Sequence, residues 1–201
     1  LGLTKFGLPV IDIVQQMGFK VFADAKIVEI PDKSVALAEL HLEYQPWMLN
    51  CMADIWSTDE MDHIDPKKVD ALKRFADACH NVGTLPCAVT VLTSKTEDVV
   101  MREFGRPALD MVLTYVDVLE RAGFSDVVCS PQEVAAIRSD SRFDLLDLNT
   151  PGVRLADTSS DDQARTDTPS GAVRNGSDRL VIGRNLTNGD IVENFARIAA
   201  D

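Results

Sequence analysis

Nine consecutive residues, Ala23-Asp24-Ala25-Lys26-Ile27-Val28-Glu29-Ile30-Pro31, set charges of alternating sign at the end of a hydrophobic run. Asp24 and Lys26 are two apart, so on a β-strand, where side chains alternate between faces, both point the same way. In a parallel α/β barrel, reactions take place at strand ends, and the face shared with a reacting centre is the inward one. A carboxylate and an ammonium held together there suit proton transfer and the stabilisation of developing charge. The same two residues also suit a structural ion pair at the strand end. A second group, Val181-Ile182-Gly183-Arg184, closes another short apolar run. Gly183 lets the backbone approach a ligand closely, and Arg184 offers a two-pronged donor for phosphate; the plainer alternative is a solvated arginine. His41, His63 and His80 lack metal-ligand spacing and receive no role. Cys51, Cys79, Cys87 and Cys129 sit in apolar runs without CxxC spacing, which points to reduced, buried thiols. Trp47 and Trp56 read as packing residues.

Short β-branched or apolar runs followed by helical periods would position these groups, the pattern of a parallel α/β protein. Seven strands are expected: Leu3–Phe6, Val21–Ala25, Trp47–Met52, Ala88–Leu92, Asp126–Cys129, Leu145–Asn149 and Leu180–Gly183. Between them, Pro9–Met17, Ser34–Tyr44, Pro66–His80, Ala108–Arg121 and Ile191–Ala200 return apolar residues every three or four positions and read as helices. Seven βα units are one short of a (β/α)8 TIM barrel, so the expected fold is that barrel as a single domain over residues 1–201, with its first strand and helix missing. The polar, breaker-rich stretch 154–169 is too long for an ordinary βα connection and reads as an active-site lid.

The chain has 201 residues, 45% hydrophobic and 26% charged, enough for one sizeable core. Its formal charge of −12 supplies no diffuse positive field for nucleic acid or an anionic membrane, so any phosphate must be held by a few local groups. No apolar run is long enough to span a bilayer and no signal peptide is recognisable, which makes the cytoplasm the expected location.

The segment Val21–Pro31 resembles the DxKxxDIP signature of the orotidine 5′-phosphate decarboxylase family, and the resemblance continues in order along the chain. Lys5-Phe6-Gly7 is similar to the family's KVG. Trp47-Met48-Leu49-Asn50 resembles its next strand, Ala88-Val89-Thr90-Val91-Leu92-Thr93-Ser94 its VTVLTS, and Val127-Val128-Cys129-Ser130 its VVCS. Thr150-Pro151-Gly152-Val153-Arg154, Asp162-Gln163-Ala164-Arg165, Thr168-Pro169 and Leu180-Val181-Ile182-Gly183-Arg184 resemble TPGIR, DQxR, TP and LVIGR.

What the resemblance implies is decarboxylation of orotidine 5′-monophosphate to uridine 5′-monophosphate in pyrimidine synthesis, by a homodimer that needs no metal or organic cofactor. An alternating network of Lys5, Asp24, Lys26 and Glu29 would surround the reacting carbon, its last acid supplied by the partner subunit. Asp24 would lie beside the substrate carboxylate, where two like charges at about 4 Å repel by ~4 kcal/mol at an effective dielectric of 20. Lys26 would be the general acid, stabilising and then protonating the carbanion. Thr93 would bind the base, Gln163 would bridge phosphate and pyrimidine, Gly183 and Arg184 would hold phosphate, and Pro151 would line the substrate. Arg154 is expected to be structural. The sequence departs from the pattern in lacking the opening strand, in Glu29 for aspartate, in Lys33 for threonine and in Met52 for histidine. Two further readings are a magnesium-dependent sugar-phosphate decarboxylase or aldolase of the same superfamily, and a non-catalytic nucleotide binder.

Overall fold

The structure is a computed structural model that describes residues 2–57, 63–155 and 165–201. Two compact units make up the chain, the first from residues 1–89 with 117–126, the second from residues 90–116 with 127–201.

In the first unit a helical hairpin, α1 (Gly2–Phe6) and α2 (Val10–Gln16), precedes β1 (Phe22–Ile27), α3 (Pro31–Leu42), β2 (Met48–Met52), α4 (Pro66–Asn81) and β3 (Leu85–Val89). The strands are parallel and keep sequence order, β1-β2-β3. β2 is buried along nearly all its length and is apolar except for Asn50 at its centre, as befits a parallel strand covered on both faces. α4 starts at an Asp65 N-cap, whose side chain accepts from the Lys67 amide at 2.9 Å, with Pro66 following at a position that needs no amide hydrogen. Its buried stripe of Ala71, Leu72, Phe75, Ala76 and Cys79 follows the helical period, and Phe75 stacks on Phe124 at 5.8 Å.

The second unit contains α5 (Glu97–Phe104), the beginning of α6 (Ala108–Arg121), most of β4 (Asp126–Val128), α7 (Pro131–Arg138), a 3-10 turn at Ser141–Phe143, β5 (Asp147–Thr150), α8 (Pro169–Arg174), β6 (Arg179–Leu180), α9 (Arg184–Thr187) and α10 (Ile191–Ala200). Its strands also keep sequence order, and β5 pairs in parallel with β6. α7 begins with a capping box: Ser130 accepts from the Gln132 amide while Glu133 Oε2 accepts from the Ser130 amide at 2.7 Å.

Six strands stand among the described residues, against seven expected. Leu3–Phe6 is helical: the Gly7 amide donates to the Leu3 carbonyl at 3.0 Å, and Gly7, at φ 73°, closes the turn in the left-handed conformation that terminates helices. A four-residue segment is too short for periodicity to choose between the two elements, and the glycine behind it decides for helix. The last strand stops at Leu180 instead of Gly183, and the strand expected over 88–92 lies at 85–89. α5, α7, α8 and α9 lie in segments where no helix was expected. Among the described residues no helix is long and apolar enough to cross a membrane.

Candidate active site

β1 is irregular where its charges lie. Phe22 and Ala23 pair with Met48 and Leu49, but Ile27 pairs with Cys51, so four steps along β1 match two along β2. The surplus is a bulge carrying Asp24, Ala25 and Lys26, and Lys26 takes φ 47°, a left-handed conformation rare for a residue with a side chain. The bulge takes the Lys26 amide to the Asn50 side chain on β2, whose Oδ1 accepts it at 2.7 Å. Asn50 Nδ2 donates in turn to Asp24 Oδ1 at 2.7 Å, and Lys26 Nζ donates to both Asp24 oxygens at 2.5 Å.

The ion pair alone does not account for this arrangement. A non-glycine residue in the left-handed region costs on the order of 1–3 kcal/mol. The Asp24 and Lys26 side chains are 54% and 42% exposed, and an ion pair so open to solvent returns about 0–1 kcal/mol. The cost of the backbone therefore exceeds the gain from the pair, the pattern met where geometry serves a site. The pair stands at the C-terminal end of its strand, and Ala23 and Ile27 on the opposite face are buried in the core.

The other expected members of the network do not join this cluster. Lys5 lies on α1 with its ammonium 5.2 Å from the Phe6 ring centre, and it makes none of the hydrogen bonds to Asp24. Its expected place at the end of a second strand goes with that strand: residues 3–6 are a helix. Glu29 follows β1 in the loop before α3; its carboxylate accepts from the Ile30 amide at 3.1 Å and its carbonyl from the Ser34 hydroxyl at 2.9 Å. The member that the sequence did not single out is Asn50, 1% exposed. An asparagine inside an otherwise apolar strand was its signal, since strands are depleted in this residue and a buried amide needs partners.

In the second unit the expected substrate residues fall just past strand ends. Thr93, 6% exposed, lies in the turn after β3; Pro151 follows β5 and precedes Gly152 at φ 79°; Gly183 caps α9 and Arg184 is its first residue. Gly183 has φ −100° and open space where a Cβ would stand, so its own backbone does not demand glycine. Gln163 and residues 156–164 of the expected lid lie outside the described residues. The flanks of that segment are joined: the Arg154 amide donates to the Asp167 carbonyl at 2.9 Å, and Val153 and Asp167 form a bridge. Arg154 also donates from its guanidinium to the Val153 carbonyl at 2.8 Å. Arg165 is buried, ion-paired to Glu133, and donates to the Val91 and Leu92 carbonyls at 3.3 and 3.2 Å. Burial lowers the pKa of its guanidinium.

The four cysteines are buried and free. Burial pushes the Cys79 and Cys129 thiols up to about 12 and raises that of Cys51 as well, which leaves them protonated and poor nucleophiles. His41 and His80 are turned to backbone carbonyls, those of Leu37 and Gly123.

Parallel strands each followed by a helix, with a lysine–carboxylate pair at a strand's C-terminal end, define an α/β protein of the kind that carries its chemistry at strand ends. The chain belongs to the orotidine 5′-phosphate decarboxylase / HUMPS family, whose model matches residues 3–197. It is 35% identical over 187 residues to an orotidine 5′-phosphate decarboxylase of Laribacter hongkongensis, covering 92% of this chain and 72% of that one. It is 34% identical over 189 residues to one of Haemophilus influenzae strain PittEE, covering 93% and 77%. The crystal structure of orotidine 5′-phosphate decarboxylase from Lactobacillus acidophilus matches with a TM-score of 0.75 at 26% identity, over 96% of this chain and 80% of that one.

Proposed function

We propose that the chain removes CO₂ from orotidine 5′-monophosphate to give uridine 5′-monophosphate in pyrimidine synthesis, without a metal or organic cofactor. The observation that carries this reading is the Lys26–Asp24 pair, set in a strained bulge at a strand end of a family member. Asp24 would face the substrate carboxylate and disfavour it relative to the carbanion that follows. The C6–carboxylate bond breaks, its electron pair stays on C6, CO₂ leaves, and Lys26 Nζ delivers a proton to C6. Solvent then reprotonates the amine. The Lys26 ammonium, paired with Asp24, would lie beside the developing carbanion and favour the transition state over the bound substrate.

By resemblance, Thr93 and Pro151 would contact the nucleoside, Gln163 would bridge phosphate and pyrimidine, and Gly183 and Arg184 would hold the phosphate. Both units would form one (β/α)8 barrel domain with a lid over 154–169. The working assembly would be a cytoplasmic homodimer in which the Glu29 loop completes the neighbour's site. Lys5 is a weaker candidate for the network, given its helix.

Loss of orotidylate absorbance, followed with and without EDTA, tests the reading. Turnover indifferent to EDTA is expected. Activity abolished by EDTA and restored by Mg²⁺ would favour the magnesium-dependent alternative, and tight binding of uridine 5′-monophosphate without turnover would favour a nucleotide binder.

A further inference from the structure

The Asn50 side chain reaches both members of the pair. Its two polar atoms divide the work: Oδ1 accepts the Lys26 amide, and Nδ2 donates to Asp24 Oδ1, each at 2.7 Å. The amide it takes belongs to the residue at φ 47°, which the bulge withdraws from the regular pairing of β1 with β2. Asn50 itself stands in the middle of β2 at 1% exposure, in a strand whose other residues are apolar, so its orientation is fixed by packing.

We infer that Asn50 is the positioning residue of the site: it holds the Lys26 backbone in its left-handed conformation and orients the Asp24 carboxylate, so that ammonium and carboxylate meet in one geometry. This rests on the reading of Lys26 as proton donor. An exposed lysine and aspartate left to themselves sample many rotamers, and their weak mutual attraction in water does not select one. A buried amide with two short hydrogen bonds does. Aspartate at position 50 keeps the acceptor for the Lys26 amide but loses the donor to Asp24 and sets a second negative charge against it. Alanine removes both contacts.

The test uses the full chain with Asn50→Ala and Asn50→Asp, each checked for folding by its thermal unfolding. In Asn50→Ala, kcat for orotidylate should fall about 100-fold or more, as misplacement by ~1 Å does, while affinity for uridine 5′-monophosphate changes by less than about threefold. Asn50→Asp keeps the acceptor for the Lys26 amide but not the donor to Asp24, so its kcat should stay low as well while affinity for uridine 5′-monophosphate again changes by less than about threefold, a split between kcat and binding that a merely structural residue would not produce. Competitive acetylation of the folded proteins, read by mass spectrometry as labelling of Lys26 relative to Lys73, gives a readout independent of turnover. With Asp24 no longer held, Lys26 in Asn50→Ala should label at least about threefold faster than in the wild type. Wild-type protein that does not decarboxylate orotidylate would overturn the proposed function, and the labelling ratio would then decide the role of Asn50 alone. Equal labelling in wild type and Asn50→Ala, or kcat within about threefold of wild type in either variant, would overturn the positioning role.

Discussion

Arg165 Nη1 donates to Glu133 Oε1 in an ion pair that solvent barely reaches, the arginine side chain 9% exposed and the glutamate 4%. Glu133 uses its other oxygen to cap α7 through the Ser130 amide. One carboxylate thus joins a helix start to the residue that follows the segment containing Gln163.

Removing one partner of such a pair leaves a buried charge uncompensated. Arg165→Ala and Glu133→Ala are each expected to destabilise the protein by about 3–5 kcal/mol, whereas Ser130→Ala, which removes only a cap, should cost about 1 kcal/mol. Urea unfolding measures all three. Equal costs for Ser130→Ala and Arg165→Ala would deny the pair its role.

The buried thiols give the stability a pH dependence of known sign. Their folded pKa values are raised, to about 12 for Cys79 and Cys129 from an ordinary 9.0, so the unfolded chain loses these protons first as pH rises. Their contribution is complete below pH 9 and is lost as pH climbs from 9 towards 12, at ~1.4 kcal/mol per pH unit for each thiol. In Cys79→Ala/Cys129→Ala the fall of stability over this window should be shallower, whatever constant offset the cavities add. An unchanged slope would show that these thiols titrate alike in both states.

If Glu29 completes the neighbour's site, mixing inactive Lys26→Ala and Glu29→Ala chains restores activity. One of the two composite sites in a mixed dimer then carries neither defect, so random mixing should recover about a quarter of wild-type activity. No gain over either parent would place Glu29 outside the partner's site.

Much of this was legible in the sequence, and the exceptions have physical causes. α6 and α10 occupy the residues that their periodicity marks, because an amphipathic stripe over ten or more residues has a single helical solution. Residues 3–6 misled because four positions are too few to carry a period, and the deciding feature was the conformation of Gly7. Asp24 and Lys26 were visible as a charged pair two apart. Asn50 was not, since its partners lie 24 and 26 residues away and depend on how β1 bulges against β2. The register shift itself leaves no mark in composition, because the bulged residue is a lysine and not a glycine.

The central claim is that Lys26 delivers the proton to C6. The most direct measurement is the decarboxylation rate of Lys26→Ala beside its affinity for uridine 5′-monophosphate. The exposed side chain contributes little to the fold, so the variant should stay folded and bind the nucleotide while turnover falls by at least about 10⁴-fold, the combined loss of the proton donor and of the charge facing the carbanion. Turnover within about tenfold of wild type would contradict the account.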